Sequence, residues 1–234
     1  MVAAGWGVNS ALGVGARRLA RGLQGYRQNR RTTMITSQFW TRTLAAIAML
    51  AVGTTASFAA AFDDGANFYK RGNYQAALNS WRNLSQTDAT VQNNIGIMYK
   101  NGQGVARNMP LAAQWLARSA ANGSSLGQNN LGGMYRDGNG VNRDFAKAVT
   151  YFSASASQGN AAGQMNLGLM YLYGQGVRQD LARAYMWFDL AAAQNLDKAA
   201  YHRSLAASRM SVQQQIAAHN AAQRCADNNF KGCA

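Results

Sequence analysis

Glutamate is absent from this 234-residue chain, in which all nine acidic residues are aspartate. Acid and base catalysis needs a titratable group placed against a substrate, so it has few candidates to draw on here. Histidine occurs only as His202 and His219, on predicted helix faces that read as polar and exposed. Cysteine occurs only as Cys225 and Cys233, in the terminal stretch RCADNNFKGC. A zinc site needs more ligands than one such pair and a distant His219, whereas in an oxidising compartment the pair most simply closes a disulfide around the tail. No GxSxG nucleophile motif occurs. The stretch NLGGMYRDGNGV (130–141) has the glycines of a phosphate loop but not its Gly-Lys-Ser/Thr ending. The chain therefore reads as non-enzymatic, with no cofactor and no metal.

What is abundant is positive charge, 23 Lys and Arg for a net +14. That excess would suggest nucleic acid as a partner, but its placement argues otherwise. Arg17, Arg18, Arg21, Arg27, Arg30, Arg31 and Arg42 all precede residue 62, with no acid among them. Without residues 1–61 the net charge falls to about +7, a mildly basic protein for which no nucleic acid is expected.

From Met34 the chain reads as a short polar start with Arg42, an apolar run from Leu44 to about Val52, and small residues ending Ala59-Ala60-Ala61. This three-part layout is that of a secretory signal over 34–61, cleaved after Ala59 or Ala61. No cysteine follows the apolar run, so nothing points to a lipoprotein. The expected location is the periplasm or the exterior, with no stable membrane anchor once the signal is removed. An uncleaved inner-membrane signal anchor is the alternative, since about 20 uncharged residues can span a bilayer. Residues 1–33 read as an upstream extension from a misassigned start.

The organising feature of the remainder is a repeat of 36 residues. Asn94, Gly96 and Tyr99 return as Asn130, Gly132 and Tyr135, and again as Asn166, Gly168 and Tyr171. The turn returns with them: Gly102 and Gly104, then Gly138 and Gly140, then Gly174 and Gly176. Downstream, Ala112, Ala148 and Ala184 align, as do Trp115, Tyr151 and Trp187.

Each unit reads as two amphipathic helices, about 125–137 and 145–158 in the middle copy. Gly138 is placed to end the first helix in the left-handed conformation, and Asn108, Asp144 and Asp180 are placed to cap the second. Pro110, the only proline, falls in a first helical turn, where its missing amide costs little. Glycine inside a helix costs roughly 0.5–1 kcal/mol, so its threefold use at 96, 132 and 168 implies a close helix contact. The aromatics at 115, 151 and 187 are expected to fill the space between units. Ser211 and Gln214 resemble a capping box that opens a terminal helix.

The run LGxMYxxGxGVxxDxxxAxxWF, present from Leu167 to Phe188, resembles the Sel-one-like repeat, a relative of the tetratricopeptide repeat. The resemblance covers residues 62–200 and implies an all-α protein, a right-handed α/α solenoid whose concave face binds other proteins. It suggests a degenerate tetratricopeptide-like unit at 62–90, repeats at 91–124, 125–160 and 161–197, and capping helices with the cysteine loop at 198–234. A cysteine pair closing the tail is also familiar among exported members.

The expected function is an exported scaffold or regulator that holds a protein or peptide, its identity open, on the concave face. An envelope enzyme or binder acting on peptidoglycan, a β-lactam or an anionic polysaccharide is the alternative. Asn94, Asn130 and Asn166, with Gln92, Gln128 and Gln164 two residues earlier, could hydrogen-bond a peptide backbone. They could equally satisfy neighbouring helices of the fold itself. Lys100, Arg136 and Leu172 vary between units and are therefore candidates for partner choice.

Overall fold

The computed structural model describes residues 59–233, so the expected extension over 1–33 and most of the expected signal lie outside the described residues. Helix α1 is helical over 59–70, and nine further helices follow: α2 (Tyr74–Trp81), α3 (Ala89–Asn101), α4 (Met109–Ala121), α5 (Ser125–Asp137), α6 (Phe145–Ala156), α7 (Ala161–Tyr173), α8 (Leu181–Ala192), α9 (Asp197–Ala207) and α10 (Val212–Asp227). No strand occurs among the described residues. Helices α3/α4, α5/α6 and α7/α8 are three helical hairpins stacked in sequence order, each touching the next through α4 on α5 and α6 on α7. The fold is an α/α solenoid.

Local chemistry sets the helix limits. Asn108, Asp144 and Asp180 accept a hydrogen bond from the backbone amide three residues on, at 3.0, 2.9 and 2.9 Å. Each thereby satisfies one of the donors that a helix N-terminus leaves unpaired. At the other end of the first helix Gly138 takes φ 71°, ψ 27°, and its amide and that of Asn139 both return to the Met134 carbonyl. Here the left-handed conformation is required, and glycine adopts it without a Cβ clash.

Within a hairpin the close approach is made by glycine. A Cβ on Gly132 would lie 2.8 Å from the Phe152 ring and 3.3 Å from the Ala148 carbonyl, and Gly96 and Gly168 meet Leu116 and Phe188 in the same way. Burial then falls on Leu116, Phe152 and Phe188, all fully buried. Each such side chain contributes about 1.5–3 kcal/mol. The neighbouring aromatics pack on the cores between units as expected, but unequally: Trp187 is buried, while Trp115 and Tyr151 are only half-buried. The helical period turns the adjacent position, 116, 152 or 188, onto the glycine, and leaves 115 and 151 at the edge.

Between units the second glycine of each turn is the contact. Gly140 sits against the backbone of Met109 and Pro110, and Gly176 against that of Phe145 and Ala146. The Gly-x-Gly turn therefore does two things: its first glycine reverses the chain and its second docks on the preceding hairpin.

The two ends differ from the middle. Upstream, α1 and α2 join through a tight turn at Arg71-Gly72, and Trp81 is fully buried with its indole Nε1 donating to the Phe62 carbonyl at 3.2 Å. Downstream, α9 and α10 both pack on α8. Ser211 and Gln214 form the expected capping box of α10, and a disulfide joins Cys225 to Cys233. The tail loop seats Phe230 against Gly159, at the end of the second repeat.

Candidate functional site

Neighbouring first helices touch along the stack, α3 with α5, α5 with α7 and α7 with α9, while the second helices of the three repeats, α4, α6 and α8, make no comparable contact with one another. The layer whose helices approach more closely is the inside of the curve. First helices therefore line the inner face, and the candidate residues can be placed relative to it.

The asparagines form a ladder across that layer. Asn130 donates from Nδ2 to Asn93 Oδ1 at 2.8 Å, and Asn166 donates to Asn129 Oδ1 at 2.8 Å. Asn93 in turn donates to Asn94 Oδ1 at 3.3 Å. One unit further along, Met165 stands in the accepting column and His202 in the donating one. The ladder stops there, and the His202 Nδ1 is buried with no hydrogen-bond partner among the described residues.

The glutamines tie each hairpin to the one before it. Gln92 donates to the Ser85 and Gln86 carbonyls, Gln128 to Ala120 and Gln164 to Ala156. Each also accepts from an amide at the end of its own hairpin: Asn122, Gln158 and Gln194, at 2.9, 2.7 and 2.9 Å. A buried amide leaves little capacity once these bonds are made. The Gln128 and Asn130 amides are thus engaged inside the fold.

Arg136 grips Asp137 with Nε at 2.7 Å and Nη2 at 3.0 Å, and donates from Nη1 to Asn166 Oδ1 at 3.2 Å. The Arg136 hydrogen bond holds the Asp137 carboxyl below the usual carboxylate range, and the charge of Lys100 pulls the same way. Arg136 therefore points toward the next first helix. Leu172, in the same column, is fully buried in the core. Its expected role in partner choice is corrected: the column faces the neighbouring helix, and at α7 that neighbour is the apolar α9 end.

His202 departs from the exposed polar face expected for it, while His219 is exposed as expected but is held by a partner. His202 is half-buried, its ring stacked 5.5 Å from that of Phe188. His219 Nδ1 lies 2.6 Å from Asp189 Oδ2, and the other oxygen of this buried carboxylate takes Arg203. Asp189 on α8 thus joins α9 and α10. This tertiary clamp has no local motif that would announce it.

The accessible inner face is made of other residues. Ile97, Gly133, Leu169 and Leu205 form one column, and Asn101, Asp137 and Tyr173 another. Tyr173 is 57% exposed and Tyr201 69% exposed, both large for apolar-bodied residues. Reading down the aligned columns for positions that vary would have found them. A cavity of about 500 Å³ opens between the second and third repeats, walled by Arg136, Asp137 and Arg143 and by Phe145, Leu169 and Tyr173.

Stacked two-helix units with a continuous inner face define a helical-repeat scaffold. Residues 89–124, 125–160 and 161–196 each match the Sel1 repeat family model, and the chain carries three Sel1-like repeats. It is similar to the solved Sel1 repeat protein from Oxalobacter formigenes, with 30% identity and a TM-score of 0.58 over 60% of this chain and 58% of that one. It is also similar to a protective antigen of uropathogenic Escherichia coli strains that displays an SLR fold, with 23% identity and a TM-score of 0.54 over 75% of this chain and 47% of that one. The second similarity concerns the fold alone. The chain thus spans 58% and 47% of the length of these two proteins. A search of curated proteins finds no match. Sel1 repeat proteins are commonly protein-interaction scaffolds.

Proposed function

We propose that this protein is an exported scaffold that holds a protein or peptide segment on its inner face. The observation that carries this reading is the contrast between columns. Positions that pack, such as 96, 132 and 168, keep the same residue in all three repeats, while accessible inner positions such as 101, 137 and 173 change from Asn to Asp to Tyr. A structural column repeats because every unit solves the same packing problem, whereas a recognition column meets a different part of the partner in each unit. Export is supported by the signal-like pattern over 34–61 and by the disulfide, a bond that persists in oxidising compartments. No helix among the described residues is long and apolar enough to cross a membrane.

The test is site-specific photo-crosslinking in native envelopes. A photoreactive residue at Gly133, on the inner layer, is expected to capture a partner that the same residue at Gln114, exposed on α4, does not. Capture from Gln114 alone would overturn the assignment of the face. N-terminal sequencing of the mature chain checks export, with a start at Ala60 or Phe62 expected; a mature chain that retains 34–61 would overturn cleavage.

A further inference from the structure

Building on that reading, we infer that the cavity between the second and third repeats takes a carboxylate of the partner, with an apolar side chain beside it lying over α7 and α9. The charged half of the cavity is unbalanced. Its two guanidiniums, Arg136 and Arg143, face one carboxylate, Asp137. Arg136 already occupies both oxygens of that carboxylate. Arg143 forms no ion pair with any carboxylate among the described residues, and its guanidinium lies 5.4 Å from the Phe145 ring centre. A cation resting on an aromatic face at the mouth of a partly enclosed cavity is placed to take an incoming anion, and a planar carboxylate suits its forked donors.

The other half selects among anions. Leu169 and Tyr173 form the opposite wall; on α9 the Leu169 column continues as Leu205 and the Tyr173 column as Arg209, while Tyr201 stands in the column of Asn93 and Met165. Tyr173, Tyr201 and Leu205 are exposed. The same columns at the other end of the face read Asn93, Ile97 and Asn101, so the apolar character belongs to the third repeat and α9. A polysaccharide or nucleic-acid anion would answer the arginines and leave this apolar stripe wet. An acidic residue next to a leucine or phenylalanine answers both halves, by charge pairing at Arg143 and by burial against Tyr173. Specificity then comes from needing both at once.

An array of ten-residue peptides in which Asp or Glu is placed beside Leu, Phe, Ser or Lys tests this on the full chain. The acidic peptides with Leu or Phe are expected to bind about tenfold more tightly than those with Ser or Lys. Arg143→Gln and Tyr173→Ala change exposed side chains, so the fold is kept and circular dichroism can confirm it. Each is expected to weaken binding of the acidic-apolar peptides about tenfold. Peptides that cross-link to Gly133 but show no acidic-apolar preference, or ignore both variants, would overturn this inference and leave the inner-face reading standing. No peptide at the inner face at all would overturn both. Equal binding of heparin, lost with Arg143→Gln but not with Tyr173→Ala, would assign the cavity to an anionic polymer instead.

Discussion

The first two repeats and the C-terminal third of the solenoid hold their helices together by different means. From α3 to α7 the bonds recur: asparagine to asparagine across the inner layer and glutamine to helix end between hairpins. Beyond α7 the recurring residues are gone. Asp189 clamps α9 and α10, a disulfide closes the tail, and Phe230 fills the surface at Gly159. A repeat in the middle of a stack is covered by its neighbours, so one set of contacts serves every unit. The third repeat is followed by α9 and α10 in place of another such unit, and different contacts cover it.

The largest effect is expected where both regions share one solution. Phe152→Ala removes a fully buried ring from the middle seam, and about 3–5 kcal/mol of stability should be lost. Denaturant unfolding measures it, with α5 and α6 and both flanking hairpins melting together; a loss below 1 kcal/mol would mean that the seam is not the core of the stack.

The terminal devices should act locally. Reduction of Cys225–Cys233 is expected to remove about 2–3 kcal/mol, and hydrogen exchange should rise in the last turns of α10 while α3 to α6 keep their protection. Asp189→Ala should cost about 2 kcal/mol, since charged hydrogen bonds are lost but Arg203 and His219 can turn to water. Its exchange should rise in α9 and α10 with little change upstream. Equal loosening of the first repeat would erase the distinction between the regions.

Two substitutions would extend the repeat chemistry into the end. Met165→Asn restores an acceptor in the column that faces the unpaired His202 Nδ1, and about 1 kcal/mol of stabilisation is expected from thermal unfolding. Leu196 stands in the N-cap column of Ser124 and Asn160 and makes no capping bond. Leu196→Asn should add about 0.5–1 kcal/mol, the smallest effect of the set.

Much of the fold was legible because it is local and written three times. The 3.6-residue apolar period, the capping Asp and Asn, the left-handed glycine and the Ser211–Gln214 box each act within a few residues of chain. Threefold repetition separates such signals from coincidence. The site was less legible. Asn130 and Gln128 could face a partner or the fold, and only the packing of neighbouring hairpins shows their bonds directed inward. Lys100 and Arg136 vary between units, but the direction of Arg136 toward the next helix depends on how successive hairpins are offset.

What the sequence determined by itself is the unit: two helices, a Gly-x-Gly turn and a tail with a cysteine pair, all fixed by short-range backbone sterics and amphipathic period. What tertiary structure alone decided is which of the unit's residues meet another unit. Asp189 finds Arg203 and His219 through helix packing at sequence separations of 14 and 30 residues, and Arg143 meets Tyr173 around a cavity that neither repeat contains alone. Those encounters follow from the stagger of rigid hairpins, a property of the assembled stack that no window of one repeat contains.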